Sequence, residues 1–177
     1  QNRRKPRFHA ESRVIEETHA LLSRLPRARI FVADSDLFLD PQRGIRLARA
    51  WREAAEGKEP VWEIHTYLAR LEPDAIASLD SGAFTVCVGV QSTNPAALRA
   101  VSRFHDEGRT RENARLLRKL APRARLHLQL IYGLPGDDAA GFERSLDYAL
   151  SLGPDRVMLF PALALPGMRD ALKGAAA

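Results

Sequence analysis

The chain has 177 residues, 45% of them apolar, 7% aromatic and 28% charged, a composition that supports one domain with its own core and argues against disorder. Its single cysteine, Cys87, excludes an intrachain disulfide and any metal or iron–sulfur site built from several cysteines of these 177 residues. The 27 Lys and Arg against 22 Asp and Glu give a net charge of +5, diluted along the sequence except at Arg3-Arg4-Lys5-Pro6-Arg7; that cluster lacks the interleaved aromatics of a single-strand stacking surface, and no apolar run approaches the roughly 20 residues of a membrane span.

From the N-terminus, Ser12 to Leu25 groups Val14, Ile15, Leu21, Leu22 and Leu25 on one side of a helix that Pro26 stops. Arg29 to Ala33 reads as a strand. Asp40-Pro41 then supplies a side-chain cap and a first-turn proline for a helix reaching about Glu56, where Gly57 can end it. A strand over Val61 to Thr66 precedes a short helix opened by Glu72-Pro73-Asp74 and containing Ile76 and Leu79. The strand Phe84 to Val90 is followed by a helix from Asn94-Pro95 to Ser102 and a longer one from Thr110 to Leu120. The last elements are a strand over Leu126 to Tyr132, a helix from Asp138 to Leu152 ended by Gly153-Pro154, and a strand over Arg156 to Pro161.

The strand runs are nearly continuous in Val, Ile, Leu and Phe, as expected when both sheet faces are covered, and their alternation with helices predicts serial parallel βα units in one domain. Periodicity alone leaves a doubly wound sheet and a barrel both open. In either, the C-terminal strand ends and the loops after them form the working face. Those ends carry Asp34-Ser35-Asp36, Glu63 with His65, Gly89-Val90-Gln91-Ser92, Gly133-Leu134-Pro135-Gly136 and Leu165-Pro166-Gly167, a set suited to a polar small molecule. Each also has a plainer reading: Asp34 as a turn residue, Ser92 as a cap, the glycines as turn formers. No GxGxxG follows the first strand, and neither a Walker-type phosphate loop nor a GxSxG elbow is present. The histidines His9, His19, His65, His105 and His127 form no metal-spaced pair, so no metal ligand is assigned, and His127 reads as a strand residue with a local partner.

Val88-Gly89-Val90-Gln91-Ser92-Thr93-Asn94-Pro95, then Arg103-Phe104-His105 with its arginine twelve residues beyond the glutamine, then Leu130-Ile131-Tyr132-Gly133-Leu134-Pro135-Gly136, resemble the fourth and fifth strand regions of radical S-adenosylmethionine (SAM) enzymes. The likeness is to the branch that includes oxygen-independent coproporphyrinogen oxidases and cobalamin-binding-domain radical SAM proteins. Asp34-Ser35-Asp36-Leu37-Phe38 fits the second strand region, Trp62-Glu63-Ile64-His65 the third, and Phe160 to Gly167 the sixth, so the resemblance covers nearly the whole chain. Two departures stand out. The family's CxxxCxxC cluster motif is not among these residues, and Gln129 occupies a position that is often acidic in relatives.

The resemblance implies an α/β fold, an incomplete parallel (βα)6 barrel of the TIM-barrel-like type with about five strands, residues 1–177 forming a single core-domain fragment whose first strand, cluster loop and C-terminal extension lie outside. It implies SAM and a 4Fe–4S cluster as cofactors, cobalamin in the full-length protein as a further possibility, and reductive SAM cleavage on an unknown substrate. Carried over position by position, Asp34 would face the methionine amino group; Glu63, Gln91, Ser92 and Arg103 the carboxylate and ribose; Gln129 the ribose; and Ile131, Gly133, Leu163 and Leu165 the adenine. No catalytic residue is assigned, and His65 is divided between substrate contact and a polar interior layer. Expected partners are the upstream segment of the same protein, an electron donor and a small-molecule substrate. The expected location is cytoplasmic, without membrane or nucleic-acid association, and the chain alone is expected to be inactive and prone to associate through the strand edge at Arg29 to Ala33. Two other readings stay open: a cluster-less relative binding a nucleoside-like ligand or a partner, and a basic domain binding nucleic acid through Arg3 to Arg7.

Overall fold

The computed structural model describes residues 7–163. Five strands, β1 (Arg29–Phe31), β2 (Val61–His65), β3 (Phe84–Gln91), β4 (Arg125–Tyr132) and β5 (Arg156–Pro161), pair in parallel and in chain order. The sheet curls into a half-barrel, so the barrel alternative that periodicity left open is the one the chain adopts. The helix α1 (Glu11–Arg24) precedes β1, and α2 (Pro41–Ala54), α3 (Pro73–Ser78), α4 (Pro95–Ala100), α5 (Glu107–Leu120) and α6 (Ala139–Ser151) lie in the connections. None of the described helices is long and apolar enough to cross a membrane.

Strand side chains alternate between two environments. Trp62 and Ile64 of β2, Phe84, Val86, Val88 and Val90 of β3, and Leu126, Leu128 and Leu130 of β4 enter the helix-covered core beside Leu47 and Trp51 of α2, Ile76 of α3 and Leu117 of α5. Trp62 stacks on Trp51 and meets Phe84, with ring centroids 5.8 Å apart in each case. Each such fully buried side chain contributes about 1.5–3 kcal/mol by leaving water. The alternate residues, Glu63, His65, Thr85, Cys87, Gly89, His127 and Gln129, fall on the opposite, concave face.

Side-chain caps set the helix starts that the sequence marks. Asp40, Asn94 and Asp138 accept from the backbone N–H of Arg43, Ala96 and Gly141 at 3.1, 2.9 and 2.6 Å. Asp106 caps α5 in the same way through the Arg109 N–H at 2.9 Å, so that helix begins at Glu107, ahead of the expected Thr110. Helix α4 stops at Ala100, short of Ser102, because Ser102 turns left-handed (φ 52°) and the Arg103 N–H closes back on the Leu98 carbonyl at 2.8 Å. Strand β3 runs beyond Val90 to Gln91 through a register shift between Gly89 and Gln91, with Gln91 itself at φ 68°. Two 3-10 turns, Leu37–Leu39 and Leu68–Arg70, were not anticipated.

Candidate functional site

A cavity of about 570 Å³ opens where the strands end, within the range of small-molecule sites. Its inner wall is the concave face at His65, Cys87, Gly89 and Gln129; its outer wall is the Tyr67–Arg70 turn after β2 and the Arg103–Asp106 loop before α5. The bulge in β3 places Gln91 between them. A Cβ on Gly89 would lie 2.3 Å from Gln91 Nε2 and 3.9 Å from Gln129 Oε1, so the missing side chain at Gly89 is what lets the Gln91 amide fold back over the strand toward Gln129.

Arg103 is exposed at the cavity rim, where the left-handed turn at Ser102 delivers it. Its Nη1 donates to the Tyr67 hydroxyl, and its guanidinium lies 5.9 Å from the Tyr67 ring centroid. Below it, Tyr148 donates to the Glu107 carbonyl at 3.0 Å, which leaves its oxygen to accept from His105 Nε2 at 3.3 Å. Burial holds the His105 pKa below its ordinary value against the opposing charge of Asp106, so the imidazole is neutral at neutral pH.

The structure brings Gln91, Arg103 and Gln129 together on this cavity and leaves the other described candidates outside its lining. Ser92 is fully buried and spends its hydroxyl inside the fold: it meets Asp137 Oδ2 at 3.1 Å and Ser145 Oγ at 3.3 Å and accepts from the Asn94 N–H at 2.9 Å. Asn94 Nδ2 also donates to the Gly136 carbonyl and to Asp137, at 3.0 and 2.9 Å. The two motifs QSTNP and GLPG are thereby sewn to one another. Glu63 sits on the concave face but is ion-paired to Arg29, whose Nε donates to it at 2.7 Å. Asp34 is exposed outside the cavity lining, Ile131 is half-buried beside Phe160 of β5, Gly133 is exposed at φ 77°, and Leu163 is 71% exposed. Leu165 and most of the Arg3 to Arg7 cluster lie outside the described residues. Sequence reasoning missed Tyr67, Arg70 and Arg109 as cavity residues. Nothing in Tyr67-Leu68-Ala69-Arg70 signals a 3-10 turn, and Arg109 lies in the first turn of α5, ahead of the expected helix start.

No family profile matches the chain. The ribosomal protein uS12 methylthiotransferase RimO of Heliobacterium modesticaldum is 26% identical over 162 residues, 87% of this chain and 35% of that protein. Coproporphyrinogen III oxidase (HemN) from Escherichia coli, a radical SAM enzyme, superposes with a TM-score of 0.68 at 22% identity over 92% of this chain and 39% of its own. In sequence and in fold the chain is similar to the core domain of radical SAM enzymes. The radical SAM methyltransferase TsrM of Kitasatospora setae, solved with cobalamin and a 4Fe–4S cluster, superposes at a TM-score of 0.72 and 16% identity, over 89% of this chain and 30% of that one. The chain spans 30–39% of the length of these three relatives.

The two family cofactors fare differently on the residues described. Cys87 lies within β3, 3% exposed, and burial together with the charge of Glu63 pushes its thiol up to about 11. No group of three His, Cys, Asp or Glu side chains suited to a metal occurs among the described residues, so a cluster does not fit them. SAM does fit: the cavity offers a guanidinium fork for a carboxylate and two amides for hydroxyls, one of them held over the strand by the bare Gly89.

Proposed function

We propose that this chain supplies the SAM-binding half-barrel of a radical SAM enzyme whose 4Fe–4S cluster is held by cysteines outside these 177 residues. The observation that carries the reading is the convergence of Gln91, Arg103 and Gln129 on one cavity at the C-terminal ends of β3 and β4. In such an enzyme, SAM reduced at the cluster supplies a 5′-deoxyadenosyl radical that takes a hydrogen atom from the substrate. The residues of this chain bind and orient. Arg103 holds the methionine carboxylate with its planar fork, and Gln91 and Gln129 present amides to the ribose hydroxyls. The concave floor at His65 and Cys87 keeps the reacting face away from bulk water.

The upstream segment of the same protein and an electron donor are the partners this function needs. Anaerobic incubation of the full-length protein with SAM and a one-electron reductant, followed by chromatographic assay for 5′-deoxyadenosine, tests it. The reading requires 5′-deoxyadenosine well above a no-protein control. Its absence from protein that carries a reducible cluster overturns the reading.

A further inference from the structure

Tyr67 is held more firmly than a loop residue at a cavity rim needs to be. Its carbonyl accepts from the Arg70 N–H at 2.9 Å, and the turn it opens is tied to α5 by Asn113 Nδ2, which donates to the Leu68 and Leu71 carbonyls at 2.8 Å each. The Arg70 guanidinium lies 4.8 Å from the Tyr67 ring centroid and that of Arg103 5.9 Å, so two cations fix the ring. The Tyr67 oxygen accepts from Arg103 Nη1. A phenol has one hydrogen of its own to donate, and among the described residues that hydrogen has no acceptor. An unspent O–H therefore stands beside an arginine whose Nε–H and Nη2–H groups have no side-chain partner among the described residues, and all of them border the same cavity.

We propose that Tyr67 is a binding residue for the ligand carboxylate that Arg103 holds, its ring fixing the guanidinium and its hydroxyl donating to the carboxylate. A carboxylate has two oxygens and about four acceptor directions, enough to take the arginine fork and the phenol together. A charged carboxylate makes both bonds stronger than a neutral acceptor would. This inference rests on the SAM reading above and adds a residue to it: the pocket selects an amino-acid carboxylate through two side chains from two different loops.

The test is calorimetric titration of the full-length protein with two probes. S-adenosylhomocysteine carries the carboxylate; 5′-methylthioadenosine is the same adenosine thioether without the amino-acid part. Tyr67→Phe keeps the ring and removes only the hydroxyl. It is expected to weaken S-adenosylhomocysteine binding about 10-fold or more, the range for a hydrogen bond to a charged group, and to leave 5′-methylthioadenosine within about two-fold. Equal losses for both probes would make Tyr67 a structural residue only and overturn the proposal, as would unchanged S-adenosylhomocysteine binding. If the unaltered protein binds neither probe, the SAM reading itself fails and this inference with it.

Discussion

Arg103 owes its position to the residue before it: the left-handed Ser102 ends α4 and turns the next side chain back over the cavity. Arg103→Ala should weaken S-adenosylhomocysteine binding by about 1.5–3 kcal/mol, and Arg103→Lys should restore only part of that, because a point charge does not reproduce a planar fork. Arg99 shares the exposure but lies inside α4, outside the cavity lining, so Arg99→Ala should change little; titration of the three variants separates a pocket role from general charge. Ser92 calls for the opposite readout. Its hydroxyl joins Asp137, Ser145 and the Asn94 N–H inside the fold, and Ser92→Ala should cost about 1–3 kcal/mol in chemical denaturation, since buried partners lose a hydrogen bond. Asp34 and Leu163, assigned by single-residue carry-over, stand exposed and outside the cavity lining.

At the scale of elements, β2 to β5 were legible because each is an apolar run bounded by caps or turn residues, and α2, α4 and α6 because Asp40, Asn94 and Asp138 mark their starts. What was not legible depends on contacts distant in sequence. The bulge at Gln91 exists because β3 must re-register on β4, and the fold of the Gln91 amide over Gly89 follows from that bulge. The Leu68–Arg70 turn is held by Asn113, more than forty residues away in sequence. Asn113→Ala should therefore orphan the Leu68 and Leu71 carbonyls, destabilise the protein by about 1–3 kcal/mol, and loosen the turn that carries Tyr67. A shift in denaturation midpoint together with weaker S-adenosylhomocysteine binding is the expected pair of results.

For the whole molecule, stability should pass through a maximum with pH. His105 and His127 sit below their ordinary 6.5 because of burial, joined for His127 by the charge of Arg156. The unfolded chain then takes protons that the folded chain refuses, so stability is full above about pH 6.5 and falls as pH drops. Asp80, held down by its hydrogen bond with Arg123, adds a further loss at lower pH. Burial raises Cys87 to about 11 and Tyr148 to about 12, so stability should also decline as pH rises through their ordinary 9.0 and 10.0. Denaturation midpoints across pH 5–10 should peak at about pH 7–8.5. Anaerobic iron and sulfide treatment of the 177-residue chain should leave no stoichiometric 4Fe–4S cluster, since one buried thiol does not replace three converging ones. The most direct measurement is a crystal structure of the full-length protein with SAM bound. The carboxylate should lie on Arg103 and Tyr67 and the ribose near Gln91 and Gln129; an empty concave cavity, with SAM held elsewhere, would contradict the account.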